Sequence, residues 1–192
     1  MFLPEGTQIP ATQGHYMRFS EPENKFRVLD SAITGYELWV SGKPVRRKEK
    51  SLYTSEELAN ADINKFTGAK KIPIYFWAFP VWNYQTSQVE ILEVNQVTIM
   101  RGIDDYLKDT DYGKDPKDYD LIVIRDDSKE RIEYRVKAKP PKEMDAEIRK
   151  AYKDTFVKVD KLFTSEDPFK DDFDIPFDIP KEQVEQAKDI FE

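Results

Sequence analysis

The stretch IPIYFWAFPVWNY (72–84) carries six aromatic rings, two prolines and no charge. It is too short to cross a bilayer, which takes about 20 apolar residues in a helix. Aromatic and branched side chains favour a pleated strand. Alternation along that strand places Tyr75, Trp77 and Phe79 on one face, and Ile74, Phe76 and Ala78 on the other. A fold containing this segment must therefore supply a sheet to receive it.

The neighbouring segments read the same way. HYMRF (15–19) and KFRVLD (25–30) flank the turn-type residues SEPEN and predict a hairpin. ITGYELWV (33–40) sets Tyr36, Leu38 and Val40 against Glu37 and Trp39, and the polar company of Trp39 points it to solvent. QVEILEV (88–94) returns across an NYQTS turn, and residues 119–140 form a hairpin with DDSKE at its tip. Helical signals are fewer. Thr54 or Ser55 caps a short helix, and Val97, Met100, Ile103 and Leu107 share one helical face. After Pro140-Pro141, a recurrence running from Met144 through Ile148, Tyr152 and Val159 to Leu162 predicts one long amphipathic helix docked on the body.

Six or seven short strands with one connecting helix predict a mainly β fold, an OB-fold-like (oligonucleotide/oligosaccharide-binding) Greek-key barrel. The expected organisation is a barrel domain over 1–140, a packed amphipathic helix over 141–163 and an acidic flexible tail over 164–192.

Charge sharpens that division. The 192-residue chain has a net charge of −7, yet residues 164–192 hold ten acids against three bases, so residues 1–163 are neutral. Within the body, KPVRRKEK (43–50) concentrates five bases, and Lys65, Lys70 and Lys71 follow. The run reads as a basic flap.

Several chemistries are disfavoured at once. There is no cysteine and one histidine, His15. Thiolate metal sites and disulfides are excluded, and a Ser–His–Asp set would have to use His15, with no Gly-rich nucleophile turn near it. Neither GxxxxGK[ST] nor GxGxxG occurs, and with seven glycines in all a phosphate cradle is disfavoured as well. Asp120 with Glu133 and Arg135 vaguely suggests a metal-dependent nuclease, but Arg135 stands where such sites need a lysine. The expectation is a non-enzyme with no metal or cofactor. No run of about 18 apolar residues exists, and MFLPEGTQIP lacks the regions of a signal peptide, which predicts a cytoplasmic protein with no membrane partner.

Binding is the better reading. Unpaired nucleic-acid strands are held by aromatic faces on which bases stack and by cations along the phosphates. Trp39, Tyr75 and Trp77 supply faces, although barrel strands also bury aromatics. Lys43, Arg46, Arg47, Lys48, Lys70 and Lys71 would line the groove. Five such contacts would give a log–log salt slope of about −3.5. The rival reading is a protein-interaction module that never touches DNA, and a preference for DNA over RNA is not encoded, since nothing reads a 2′-hydroxyl.

Three strings carry a resemblance: SGKPVRRKEK, then FWAFPVWNYQTSQVEILEVNQ, then DYLKDTDYGKDPKDYDLIVIRDDSKERIEYRVKAKPP. In this order, over residues 15–140, they resemble the single-stranded-DNA-binding, helix-destabilising proteins of tailed bacteriophages. The resemblance implies an OB barrel that coats strands exposed in phage replication, recombination and repair, inside the host cytoplasm, with self-association on DNA. It implies an aromatic role for Tyr75, Phe76 and Trp77 and a phosphate role for Lys43, Arg46 and Arg47. Relatives in that group hold zinc in a Cys/His subdomain between the basic region and the aromatic strand; here residues 48–71 contain neither residue type. A zinc-less variant with a short helix in that place is the expectation.

The tail adds a second likeness. Phe173-Asp174-Ile175-Pro176-Phe177 resembles the Asp-Ile-Pro-Phe tip of bacterial single-stranded-DNA-binding proteins, which recruits replication and recombination partners. Here it is internal, and Val184, Ala187 and Phe191 extend it as a short helix. So many acids repel one another and keep a segment mobile. Tethered beside a basic groove, such a tail competes with phosphates at high effective concentration.

Overall fold

The computed structural model describes residues 15–113 and 115–170. The partner-binding motif Phe173, Asp174, Ile175, Pro176, Phe177 and Phe191 lies outside the described residues. Among the described residues, eight strands form one mixed sheet: β1 (Tyr16–Met17), β2 (Glu23–Val28), β3 (Ile33–Val40), β4 (Lys43–Arg47), β5 (Ile74–Asn83), β6 (Gln88–Val94), β7 (Asp120–Asp126) and β8 (Glu133–Ala138). Three α-helices accompany them: α1 (Ser55–Ala59), α2 (Val97–Lys108) and α3 (Ala146–Asp154). No helix among the described residues is long and apolar enough to cross a membrane.

The sheet runs β1-β6-β5-β2-β7-β8, with β3 and β4 branching from β5. The branch follows from one residue. On one side of β5, Ile74–Ala78 pair with β3 and Val81–Asn83 pair with β2. Pro80 stands at the change of partner, where its missing N–H would otherwise be an orphaned donor. Its carbonyl points the same way and accepts from Leu29 N at 3.0 Å. The sheet is therefore branched at β5 and not a closed barrel. Among the described residues no strand pairing joins β8 back to β1 or β4.

Two sequence expectations change here. β1 is only two residues long and pairs in parallel with β6, so it makes no hairpin with β2. The expected long helix over 144–162 is a nine-residue α3 followed by extended chain and a 3₁₀ turn over Val159–Phe163. The break falls at Thr155, where β-branched Thr155, Val157 and Val159 alternate and lose helix propensity. This C-terminal strap still docks on the body, through buried Ile148, Val159 and Leu162. At about 1.5–3 kcal/mol per buried aliphatic side chain, three anchors suffice for an otherwise polar segment.

The concave face of the sheet holds the main core. Phe26, Val28, Phe79, Val81, Leu92, Val94, Leu121 and Val123 meet Ile99, Met100 and Ile103 of α2. The helix matches its expected span, but Val97 is solvent-exposed and Ile99 takes its place in the core. α2 lies close on β8 because residue 102 is glycine: a Cβ there would sit 2.7 Å from Val136 Cγ2. The opposite face is covered by the strap, with Phe76, Ala78 and Ile91 against Val159 and Leu162, and Trp82 and Val89 against Ile148.

Candidate nucleic-acid interface

Residues 43–47 of the basic run are strand β4 and not a flap. Ser41 and Gly42 both take positive φ, 52° and 75°, and close a two-residue turn that folds β4 antiparallel onto β3. Tyr53 then locks the pair from the side: its hydroxyl lies 2.7 Å from the Tyr36 carbonyl and 2.9 Å from the Val45 carbonyl and shares its one proton between them. Burial, against the opposing pull of Arg47, pushes this phenol up to about 12. α1 follows with a capping box, Thr54 accepting from Glu57 N and Glu57 accepting from Thr54 N. The cap falls on Thr54, one of the two candidates read from the sequence.

Register decides which aromatics share a surface. Tyr36 lies directly opposite Tyr75, and Thr34 opposite Trp77, so all four point to the concave side. The Tyr36 and Tyr75 rings stand 5.3 Å apart and tilted, and Lys50 Nζ lies 5.2 Å from the Tyr36 centroid. Tyr75 is 41% exposed, and Trp77 is half-buried beside it. The result is an aromatic row, Tyr36–Tyr75–Trp77, most open to solvent at Tyr75. Tyr36 was not among the expected binding residues. Its sequence neighbours Leu38 and Val40 are core-like, and only its cross-strand partner reveals its surface.

Phe76 does not belong to this row. It is 2% exposed and packs under the strap, so the aromatic role implied by resemblance fails for it on simple accessibility. Trp39 is open to solvent but lies on the convex side with Glu37. Its Nε1 donates to Glu37 Oε1 at 2.9 Å, and Lys71 Nζ sits 5.0 Å from its ring. The two tryptophans thus face opposite sides of the sheet and do not build one trough.

The cations separate in the same manner. Arg46 is buried, bound to Glu37 Oε2 at 2.9 Å and to both oxygens of Glu93 at 2.7 and 2.9 Å. Two carboxylates on one guanidinium leave no positive charge for a phosphate, which corrects the expected role of Arg46. Arg47 is half-buried and pairs with Glu57 at 2.6 Å. Lys43, Lys48 and Lys50 are exposed and form no ion pair among the described residues. Lys70 is exposed, and its Nζ donates to the Ala59 carbonyl.

The Glu37–Arg46–Glu93 cluster also titrates unusually. Burial pushes the Glu93 carboxyl up; Arg46 pulls it down, and neighbouring Glu37 pushes it up again. A carboxyl raised in the native state costs stability as pH rises through its native pKa. Glu93→Gln is therefore expected to show a urea midpoint equal to or above the parent at pH 7. The difference should close as pH falls toward about 4, where the ordinary glutamate also protonates. Denaturation at both pH values checks this; a midpoint well below the parent at pH 7 would refute it.

The vague nuclease grouping does not assemble. Asp120 is buried at one end of the β7–β8 hairpin, against Arg27, Lys25 and the Tyr84 hydroxyl. Glu133 lies at the other end, opposite Asp126 and paired with Lys129. Among the described residues no cluster of three or more His, Cys, Asp or Glu could hold a metal ion. Residues 48–72 instead carry the 3₁₀ turn Lys50–Leu52, α1 and a small hairpin at Ile63 and Lys70. Phe66 stands wholly exposed at the tip of that hairpin.

No family model matches this chain, and neither a curated protein nor a solved structure matches it.

Proposed function

We propose that the protein binds single-stranded DNA with little sequence preference, on an OB-type platform, in phage replication, recombination and repair. The observation that carries this reading is the Tyr36–Tyr75–Trp77 row, a run of ring faces on one side of the sheet with Lys50 against its outer end. Stacked bases gain about 1–3 kcal/mol each on such rings, independently of sequence. The shared strand β5 and the helix α2 filling the concave side support the OB-type assignment. The acidic tail then serves as competitor for the cationic surface and as recruiter of replication or recombination proteins.

With Arg46 and Arg47 committed to carboxylates, the phosphate contacts fall to lysines. Lys43 and Lys50, on the side of the aromatic row, give an expected log–log salt slope of about −1.4. Titrating tryptophan emission with oligo-dT at two salt concentrations tests this. Quenching with a slope near that value is expected, and unchanged emission together with no retention of the oligonucleotide would overturn the reading. Removing 171–192 should tighten binding, most at low salt where screening is weak; unchanged affinity would defeat the competitive role of the tail.

A second reading has its own observation. Ile63, Phe66 and Ile72 are exposed together on the small hairpin and its exit, as expected of a protein-docking patch. A pure interaction module would leave tryptophan emission unaltered by oligo-dT.

A further inference from the structure

The concave aromatic row ends in a cavity of about 330 Å³, lined by Trp77 and Phe79 of β5, Ile103 and Leu107 of α2, Ala32, and the turn at Asp115–Lys117. Pockets that hold small ligands run from roughly 300 Å³ upward, so this one suits a single heterocycle. Its walls are fixed. Buried Arg27 donates from Nη1 to the Lys117 carbonyl at 2.9 Å, tying the 3₁₀ turn Pro116–Asp118 to β2. Asp115 accepts from Lys117 N at 2.9 Å and holds the turn from within. Trp77 stays half-buried because one side of its indole borders this open space.

Polar groups at the cavity are few, two carboxylates with one hydroxyl and one lysine. Asp30 and Asp115 line it, with Ser31 and Lys117 beside them. Asp30 Oδ1 accepts from Ser31 N at 2.7 Å and Oδ2 from the Tyr152 hydroxyl at 3.0 Å. A carboxylate oxygen has two lone pairs, so both aspartates keep capacity for a further donor. Lys117 Nζ lies 3.3 Å from Asp115 Oδ2 and brings a cation to the lining.

We infer that this cavity receives one nucleobase turned out of the strand, and that it favours bases bearing an exocyclic amino group over thymine. The base lies against Trp77 as the next step of the row after Tyr36 and Tyr75. Its amino group donates to Asp30 or Asp115, the pairing by which acidic side chains read cytosine N4. Thymine carries an acceptor oxygen at C4 where cytosine carries its amino group, so it has nothing to donate to a carboxylate from that position.

This inference rests on the proposed single-strand binding, and the experiment separates the two. Wild type and Ala32→Phe are titrated with oligo-dC and oligo-dT. Ala32 is exposed at the cavity mouth, so a phenyl ring there fills the space without entering the core. Wild type is expected to bind oligo-dC roughly 10-fold to 150-fold more tightly than oligo-dT, the scale of one hydrogen bond to a charged acceptor. Ala32→Phe should lose that preference while still binding oligo-dT. Leu107→Phe, which fills the cavity from α2, repeats the measurement if the first variant misfolds. Equal binding of both oligonucleotides by wild type, or a preference that survives filling, overturns the pocket and leaves the stacking row standing. Absence of binding to either oligonucleotide removes both.

Discussion

Arg27→Ala is expected to lower the unfolding free energy by about 3–5 kcal/mol, the cost of breaking a buried ion pair from one side. Arg27 is 1% exposed at the heart of β2. Its Nε donates to Asp120 Oδ1 at 2.6 Å, and its Nη1 to the carbonyls of Lys117 and Lys142, both at 2.9 Å. One guanidinium therefore fastens β2 to β7, to the turn that walls the cavity and to the segment leading into α3. Alanine would take one of three donors from the buried Asp120 carboxylate and leave two carbonyls without this partner. Against a typical total of about 5–15 kcal/mol, that loss brings the protein near its threshold. Urea denaturation at pH 7 measures it, and a loss under about 1 kcal/mol would show that the junction carries no weight.

The same site contributes to the acid sensitivity of the fold. Burial pushes the Asp120 carboxyl up, but hydrogen bonds from Lys25, Arg27 and Tyr84 outweigh it and hold the group below the usual carboxylate range. A depressed native pKa contributes stability that is fully present above the unfolded value, about 3.9. It is lost as pH falls through the lower native value. Acid sensitivity in that window should weaken in Arg27→Ala, because one of the three donors holding Asp120 is gone.

What the sequence makes legible here is local, and what it hides depends on distant partners. The strands at 33–40, 74–83 and 88–94 and the helix at 97–108 follow from alternation and helical spacing inside each segment. The concave and convex sets of β5 follow likewise, since period two needs no knowledge of the neighbour. Arg46 is different. It belongs to a basic run and looks like a phosphate ligand until β6 delivers Glu93, 47 positions away, to meet Glu37 from β3. Trp39 and Trp77 look equivalent for the same reason, because only the β3–β5 register assigns them to opposite faces. The parallel pairing of β1 rests on a two-residue contact that no pattern announces. The helix break at Thr155 was foreshadowed by its β-branched neighbours, yet helical spacing of apolar positions runs through it and masks the stop.

Neighbouring residues on β5 give the sharpest separation of stability from binding. Phe76→Ala removes a buried ring that touches Ala78, Ile91, Val159 and Leu162 in the convex core, and Phe163 stands 6.2 Å from it. The expected cost is about 3–5 kcal/mol of stability, as for other buried aromatic truncations. Tyr75→Ala removes a ring that is 41% exposed and meets only Tyr36 among aromatic partners. Its unfolding free energy should change little. Its affinity for oligo-dT should fall by about 1–3 kcal/mol, a factor of roughly 5 to 150. The two substitutions sit one residue apart, so any indirect effect of disturbing β5 on the binding face should appear in both. If Tyr75→Ala leaves affinity unchanged while Phe76→Ala, assayed where it remains folded, abolishes it, then the bases do not lie on the concave row. The convex surface around Trp39 and Lys71 would then be the face to examine for stacking.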